Sequence, residues 1–257
     1  MRKGGLVVNS IRRGEIKKLI EKNGVISLKE LSALFPSVSL MTIHRDLNAL
    51  EAEGVIVRVR GGAKYAGSPT NEPAYDLRAV KNRFAKETIA RKAAAFINSG
   101  SAVFLDSGTT MMELATAMPD VNASVFTSGP NIALEVAKKQ RPNINLCGGF
   151  LNRSNMTLTG PSAVDMLSKI NIDVAFLVAS AYSLEGGFTC GGETDAQVKM
   201  EVVRKARTVI LLMDSSKLGK LLPFTFATMS DVDYMICETA LPENVQAEAE
   251  KYNVKLL

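Results

Sequence analysis

The stretch from Ser39 to Ala63, SLMTIHRDLNALEAEGVIVRVRGGA, constrains the fold of this chain more than any other. Ser39 is a good N-cap, because its hydroxyl can accept one of the unpaired amide protons of a first helical turn. Ile43, Leu47 and Leu50 fall at i, i+4 and i+7 and share one helix face. Met41, Arg45 and Asn48 point the opposite way, with Thr42 and His44 on the flanks. That outer face is short, polar and cationic, the chemistry of a helix entering the major groove of double-stranded DNA. Gly54 ends the helix. Val55 to Val59 then reads as a strand, with Arg58 and Arg60 two apart and projecting from one side of it. A helix followed at once by a basic hairpin predicts a winged helix-turn-helix. Its candidate DNA-contacting residues are Ser39, Met41, Thr42, His44, Arg45, Asn48, Arg58 and Arg60.

A basic amphipathic helix taken alone is most often a solvated face. The preceding residues supply the context. Arg12 to Asn23 reads as a first helix with Ile16, Leu19 and Ile20 inward, after a frayed tail from Met1 to Asn9. Val25-Ile26-Ser27 is a short extended link. Ser27 caps a second helix, Leu28 to Phe35, and Glu30 completes a capping box. Pro36 to Val38 is the turn. Two short helices joined tightly, the second carrying the reading face, give the helix-turn-helix layout.

Charge is distributed to match. Residues 1–70 hold 12 Lys and Arg against 6 Asp and Glu, and residues 71–257 hold 19 against 20, so the whole net charge of +5 originates in the N-terminal segment. A polyanion-binding module on a near-neutral partner has this signature. Cys147, Cys190 and Cys237 lie far apart, form no Cys-x-x-Cys pair and are odd in number, which predicts reduced thiols in a cytoplasmic protein. No apolar run approaches the roughly 20 residues of a membrane span, and no apolar core of a signal peptide opens the chain. Neither a metal nor a cofactor is expected.

The length suffices for two modest domains. Glycine, proline and polar residues crowd Gly61, Gly62 and Gly67 to Pro73, which predicts a DNA-binding domain over 1–66, a linker over 67–74 and a second domain over 75–257. Tyr75 to Asn98 reads as one long helix with Ala85, Ile89, Ala93 and Phe96 buried. Strands and helices then alternate. Ala102–Leu105, Ser124–Phe126, Ile144–Cys147, Asp173–Ala179, Thr208–Met213 and Tyr234–Cys237 are strands. Thr109–Met118, Asn131–Lys139, Pro161–Ile170, Ala196–Ala206 and Pro242–Tyr252 are helices. Such alternation implies an α/β domain, a mostly parallel sheet covered by helices on both faces.

In open sheets of this kind ligands bind where strands end. Here those ends are polar and glycine-rich. Leu105 is followed by Asp106-Ser107-Gly108-Thr109-Thr110, where a helix begins, and amides at a helix start with three hydroxyls make a phosphate cradle. Ser128 follows the second strand, Gly148 and Gly149 the third, and Asp214 to Lys217 the fifth. Lys199 lies on the helix after Cys190-Gly-Gly-Glu193. Two lysines, two carboxylates and several amides fit a phosphorylated sugar or polyol. Each piece has a plainer reading too: Ser-Gly-Thr-Thr is an ordinary helix start, Asp214 can cap the turn that follows it, and Lys199 can be a solvated helix residue. Cys147 reads as a small buried residue and not a nucleophile, since this domain holds no histidine.

With these motifs the chain resembles the DeoR family of bacterial transcription repressors over nearly its whole length. The N-terminal signature is carried by Thr42-Ile-His-Arg-Asp-Leu47, Gly54 and Arg58-Val-Arg-Gly-Gly-Ala63. The C-terminal signature is carried by Asp106-Ser-Gly-Thr-Thr110, Gly148-Gly149 and Asp214-Ser-Ser-Lys217. Two positions depart from it. His44 stands where the family's helix has an arginine, and Thr127-Ser128-Gly129 stands for the usual Thr-Asn-Ser, which removes an amide side chain from the ligand edge. The resemblance implies a C-terminal domain similar to ribose-5-phosphate isomerase that binds a phosphorylated sugar and alters DNA affinity. It also implies a homodimer or homotetramer.

The leading expectation is therefore a sugar-phosphate-responsive repressor of a sugar or polyol catabolic operon, with no catalytic residue. The alternative is an active sugar-phosphate isomerase fused to a DNA-binding domain. In that reading Asp106, Asp214 or Glu193 would be the base, and Lys199 or Lys217 the electrophile that stabilises an enediolate.

Overall fold

The structure is a computed structural model that describes residues 4–23, 25–52, 55–65 and 75–257. Contacts divide the chain into two compact units, residues 1–73 and 74–257. Gly54 and the expected linker over 67–74 lie outside the described residues.

The N-terminal unit runs α1 (Gly4–Asn23), β1 (Val25–Ser27), α2 (Leu28–Leu34), α3 (Leu40–Ala52), β2 (Ile56–Val59) and β3 (Gly62–Tyr65). The first helix thus begins at Gly4 and not after a frayed tail, since lengthening an existing helix needs no new nucleus. Ile16 and Ile20 of α1 pack with Leu31, Ile43, Leu47, Leu50, Ile56 and Ala63 in one core. The capping box forms as the residues dictate. Ser27 Oγ accepts the Glu30 N–H at 3.2 Å, and a Glu30 carboxylate oxygen accepts the Ser27 N–H at 2.7 Å.

The segment expected to be only an extended link is a strand. It pairs antiparallel with β3, and the sheet order is β1-β3-β2. This explains the Gly61-Gly62 pair, which belongs to the wing and not to the linker. Gly61 turns the hairpin with φ +81°. A Cβ on Gly62 would sit 2.3 Å from the Ile26 carbonyl oxygen, so only glycine lets β1 approach β3.

The C-terminal unit opens with a correction. The single helix expected over Tyr75 to Asn98 is two, α4 (Tyr75–Val80) and α5 (Arg83–Ala94). Asn82 breaks it in a left-handed conformation, φ +53°. Its side-chain amide donates to Asp214 Oδ1 at 2.9 Å and to Ser216 Oγ at 3.0 Å, contacts a continuous helix would forgo. There follow β4 (Ala102–Leu105), α6 (Thr109–Ala117), β5 (Ser124–Thr127), α7 (Pro130–Val136), β6 (Asn143–Leu146), β7 (Phe150–Asn152), β8 (Thr157–Thr159), α8 (Pro161–Ser168), β9 (Ile172–Val178), β10 (Ala181–Ser183), β11 (Gly187–Cys190), α9 (Glu193–Lys205), β12 (Ala206–Leu212), β13 (Phe224–Ala227), β14 (Tyr234–Ile236), α10 (Glu243–Lys251) and β15 (Lys255–Leu256).

Seven of these strands form the expected parallel sheet, in the order β15-β14-β12-β9-β4-β5-β6. Successive side chains serve opposite cores. Phe104, Ala175, Leu177, Val209 and Leu211 belong to one, and Val103, Leu105, Phe176, Ile210 and Leu212 to the other. Burial on both faces is why these strands read as continuous apolar runs. The β7–β8 hairpin and the antiparallel sheet β10-β11-β13 were not expected. Their strands of three or four residues are too short to display a period. The chain goes from β4 to β5 and β6 on one side, then returns to β9 and beyond on the other. The switch point, the position where open sheets of this kind bind ligands, therefore lies between the C-terminal ends of β4 and β9.

Candidate functional site

The outer face of α3 emerges as its spacing dictates. Met41 is 69% exposed, and Arg45 and Asn48 face solvent beside it, while Thr42 and His44 are half-buried. Ser39 Oγ accepts the Thr42 N–H at 3.3 Å and lies 3.0 Å from the Thr42 hydroxyl. Arg45 has no hydrogen-bond or ion-pair partner among the described residues. The wing differs from expectation. β2 ends at Val59, so Arg60 sits exposed in the turn, and Arg58 folds back onto α3. Arg58 Nη1 donates to Asn48 Oδ1, and Nη2 meets His44 Nδ1, both at 2.9 Å. Because guanidinium only donates, His44 Nδ1 is the acceptor and its proton sits on Nε2.

Asp46 was missed as a functional support. It is 2% exposed and accepts from Arg12 Nε at 2.5 Å and Arg13 Nε at 3.2 Å, tying α3 to α1. The signal was present, because Asp46 is the one polar residue in the buried series 43, 46, 47, 50.

At the switch point, Asp106 is fully buried. Oδ1 accepts the Ser107 N–H at 2.7 Å, and Oδ2 accepts the Val178 N–H at 3.0 Å and the Lys199 ammonium. Lys199 is 2% exposed, donates to the Val178 carbonyl at 3.2 Å and lies 4.0 Å from Asp195. Burial works against the ammonium, but Asp106 and Asp195 outweigh it and raise the Lys199 pKa above its ordinary value. Lys199 is therefore neither the solvated helix residue of the plainer reading nor a cation open to a ligand. It clamps the end of β4 to the end of β9. Gly108 opens α6 with φ +108°, and Ser107, Thr109 and Thr110 are buried around that start, their hydroxyls making no side-chain hydrogen bond among the described residues.

Asp214 caps a 3₁₀ turn, Ser215–Lys217, with Lys217 half-exposed at its end. Burial alone would push the Asp214 carboxyl up. Ser216, the Lys217 charge and Asn82 together hold it below its usual value. Lys86, also missed, is buried beside this loop. Its ammonium donates to the carbonyls of Arg78 and, at 2.6 Å, Lys81, closing the end of α4. Burial, aided by Lys217 and Arg78 and opposed by Asp214, brings its pKa down to about 8. Gly148 and Gly149 are exposed after β6. A Cβ on Gly149 would fall 2.3 Å from the Thr159 carbonyl oxygen, so this glycine serves the β7–β8 hairpin. Ser128 is fully buried. Burial pushes the Cys147 thiol up to about 12, which fits a packing residue.

A family model described as a DeoR-like helix-turn-helix domain matches residues 12–68, and one described as a DeoR C terminal sensor domain matches residues 81–239. The chain belongs to the DeoR family. It is a DNA-binding transcriptional regulator with a C-terminal sensor domain. It is 34% identical over 247 residues to the HTH-type transcriptional regulator GlpR of Haloferax volcanii, covering 96% of each chain. It is 31% identical over 246 residues to the glycerol-3-phosphate regulon repressor of Escherichia coli K12, covering 95% of this chain and 97% of that one. Among solved structures, ribose 5-phosphate isomerase A from Methanocaldococcus jannaschii is similar over 54% of this chain and 55% of that chain, at 17% identity and a TM-score of 0.40. Among the described residues no helix is long and apolar enough to cross a membrane.

Proposed function

We propose that this DeoR-family chain represses a sugar or polyol catabolic operon in the cytoplasm, and that a phosphorylated sugar or polyol at the switch point changes its affinity for operator DNA. DNA binding is assigned to residues 1–66, the link to 67–74 and sensing to 75–257. Met41, Arg45 and Asn48 read the groove. Ser39, Thr42 and Arg60 contact phosphates at its edge, and Arg58 with His44 fixes the wing. The single observation that carries the sensing role is the Asp106–Thr110 loop. A helix start, a positive-φ glycine and three hydroxyls with no side-chain bond meet at the point where the strand order reverses. Lys217 supplies charge from the neighbouring turn. Gly148 and Gly149 shape the rim, and Asp214, through Asn82, couples the site to α4 and α5, the first elements after the linker.

The isomerase alternative is disfavoured by the same geometry. Asp106 and Lys199, one of its three candidate bases and one of its two candidate electrophiles, neutralise each other inside the fold. No enzymatic activity is therefore expected. Self-association is supported by β6, an edge strand of the large sheet, near which Leu134, Leu146, Phe150 and Leu151 are exposed. A homodimer or homotetramer would cover that edge.

Operator affinity measured by fluorescence anisotropy, with and without phosphorylated sugars, tests the reading. A ligand shifts DNA affinity only through its differential affinity for two states, and linkage requires that operator shift ligand affinity by the same factor, typically about 1–3 kcal/mol. Calorimetry of ligand binding with and without operator should give that factor. An unchanged ligand affinity beside a large change in DNA affinity would place the ligand elsewhere.

A further inference from the structure

We infer that a second set of polar groups beside the phosphate loop, Ser128, Asn131, Thr157 and Tyr75, selects the ligand by its hydroxyl groups. The inference rests on the switch-point reading above and adds the residues that choose among phosphorylated compounds. β5 ends at Thr127, the register partner of Leu105, so Ser128 and Asp106 are the first residues beyond the ends of two neighbouring strands. Ser128 and Thr157 are fully buried. Yet Ser128 Oγ, Thr157 Oγ1 and Asn131 Oδ1, all shielded from solvent, have no hydrogen-bond partner among the described residues. Buried polar side chains are nearly always partnered, so three such atoms on neighbouring segments call for a bonding group.

Main-chain and side-chain bonds join the segments that carry them. The Leu158 N–H donates to the Ser128 carbonyl at 2.7 Å, fastening β8 to the end of β5. Asn131, three residues on in the first turn of α7, donates its amide to the Tyr75 hydroxyl at 2.7 Å. The Tyr75 N–H in turn donates to the Ser154 carbonyl at 3.0 Å, in the turn between β7 and β8.

Donor and acceptor roles define the ligand. The Ser128 and Thr157 hydroxyls can donate and accept, whereas the Asn131 oxygen only accepts. A phosphate dianion would leave that oxygen facing another acceptor. A neutral hydroxyl answers every member of the set, and the Arg78 guanidinium near it lies over the face of the Tyr75 ring, 5.9 Å from its centroid. Burial also raises the Tyr75 phenol above its ordinary value, so it keeps its proton and stays neutral. The phosphate loop therefore holds one end of the ligand, and these residues hold a carbon chain bearing hydroxyls.

The test is calorimetry on the full chain with inorganic phosphate, glycerol 3-phosphate, ribitol 5-phosphate, glucitol 6-phosphate and unphosphorylated ribitol. The best phosphopolyol should bind at least about tenfold tighter than inorganic phosphate, the scale of one well-made hydrogen bond to a buried group. Thr157→Val and Asn131→Ala should erase that gain and leave inorganic phosphate binding unchanged, and Thr157→Ser should keep it. If inorganic phosphate binds and lengthening the polyol adds nothing, the hydroxyl set is wrong and the phosphate loop stands. If ribitol binds, loses affinity in Thr157→Val and gains nothing from phosphate, the hydroxyl set stands and the phosphate loop is wrong. Variants that lose every ligand equally would mark Thr157 and Asn131 as structural and overturn the inference, as would a wild type that binds none of the five.

Discussion

The reading helix and the sheet edge hold their polar groups in opposite ways. On α3, Met41, Arg45 and Asn48 stand in water, and Arg45 has no protein partner among the described residues. At the switch point, Asp106 and Lys199 are sealed from solvent and satisfied by each other across 93 positions of sequence. A surface that meets a polyanion can keep its cations hydrated until binding, because charge and counterion release supply most of the affinity. A crevice for a small molecule must be built beforehand, since a loose site loses in ordering what it gains in contacts. The same kind of substitution should therefore weaken DNA binding in one region and folding in the other.

The largest effect expected is at Asp106. Asp106→Ala removes one partner of a buried pair and leaves the Lys199 charge uncompensated, which typically costs about 3–5 kcal/mol. Urea denaturation should show that loss in the C-terminal unit and little change in the N-terminal one. Replacing both partners, Asp106→Leu with Lys199→Met, should recover much of it, because no charge is then stranded. A single variant with wild-type stability would mean the pair does not staple the crevice, and the contrast with α3 would fail.

The two regions also differ in how far they could be read from sequence. A helix fixes side-chain direction by position alone, so Met41, Arg45 and Asn48 could be placed outward from their numbers, and Ser27 with Glu30 predicted a cap that forms. Parallel strands buried on both faces declare themselves as apolar runs, and all but the two-residue β15 of the large sheet were anticipated. What could not be read depends on distant partners. The spacing puts Arg58 on one strand face with Arg60, but His44 and Asn48 offer it two acceptors. The spacing offers Lys199 as a ligand group, but Asp106 and Asp195 surround its ammonium. The helix break at Asn82 is set by Asp214 and Ser216, more than 130 positions on. Local periodicity carries no information about such pairs.

A second prediction separates two arginines of the N-terminal unit. Arg45→Ala should weaken operator binding by roughly 1–3 kcal/mol if it reads a base, or flatten the salt dependence by about one unit if it meets a phosphate. Thermal stability should be unchanged, as for most exposed substitutions. Arg58→Ala should lower both, because it also removes the bonds that hold the wing to α3, with a stability loss of about 1 kcal/mol. If Arg45→Ala destabilises and leaves operator binding intact at matched salt, the outer face of α3 is not the reading surface.

The smallest expected effect is a fraction of a proton at Lys86. Its pKa of about 8 in the folded chain lies below the roughly 10.4 of an unfolded lysine. Below pH 8 both states are charged and the full cost of burying the ammonium is present. Between pH 8 and about 10.4 the unfolded state holds the extra proton, so this group makes stability rise with pH. Lys86→Met should flatten that rise. A ligand dianion near Lys217 and Lys86 would favour the ammonium, so binding at pH 8 should take up part of a proton. Near pH 6 Lys86 is already charged, while the ligand's phosphate, with its second pKa near 6 and so about half protonated, should release part of a proton on becoming a dianion. Titrating glycerol 3-phosphate in two buffers of different ionisation enthalpy would therefore show uptake at pH 8 and release at pH 6. Lys86→Met should abolish the first and spare the second. Uptake at pH 8 that survives in Lys86→Met would assign the proton to another group and separate Lys86 from the ligand edge.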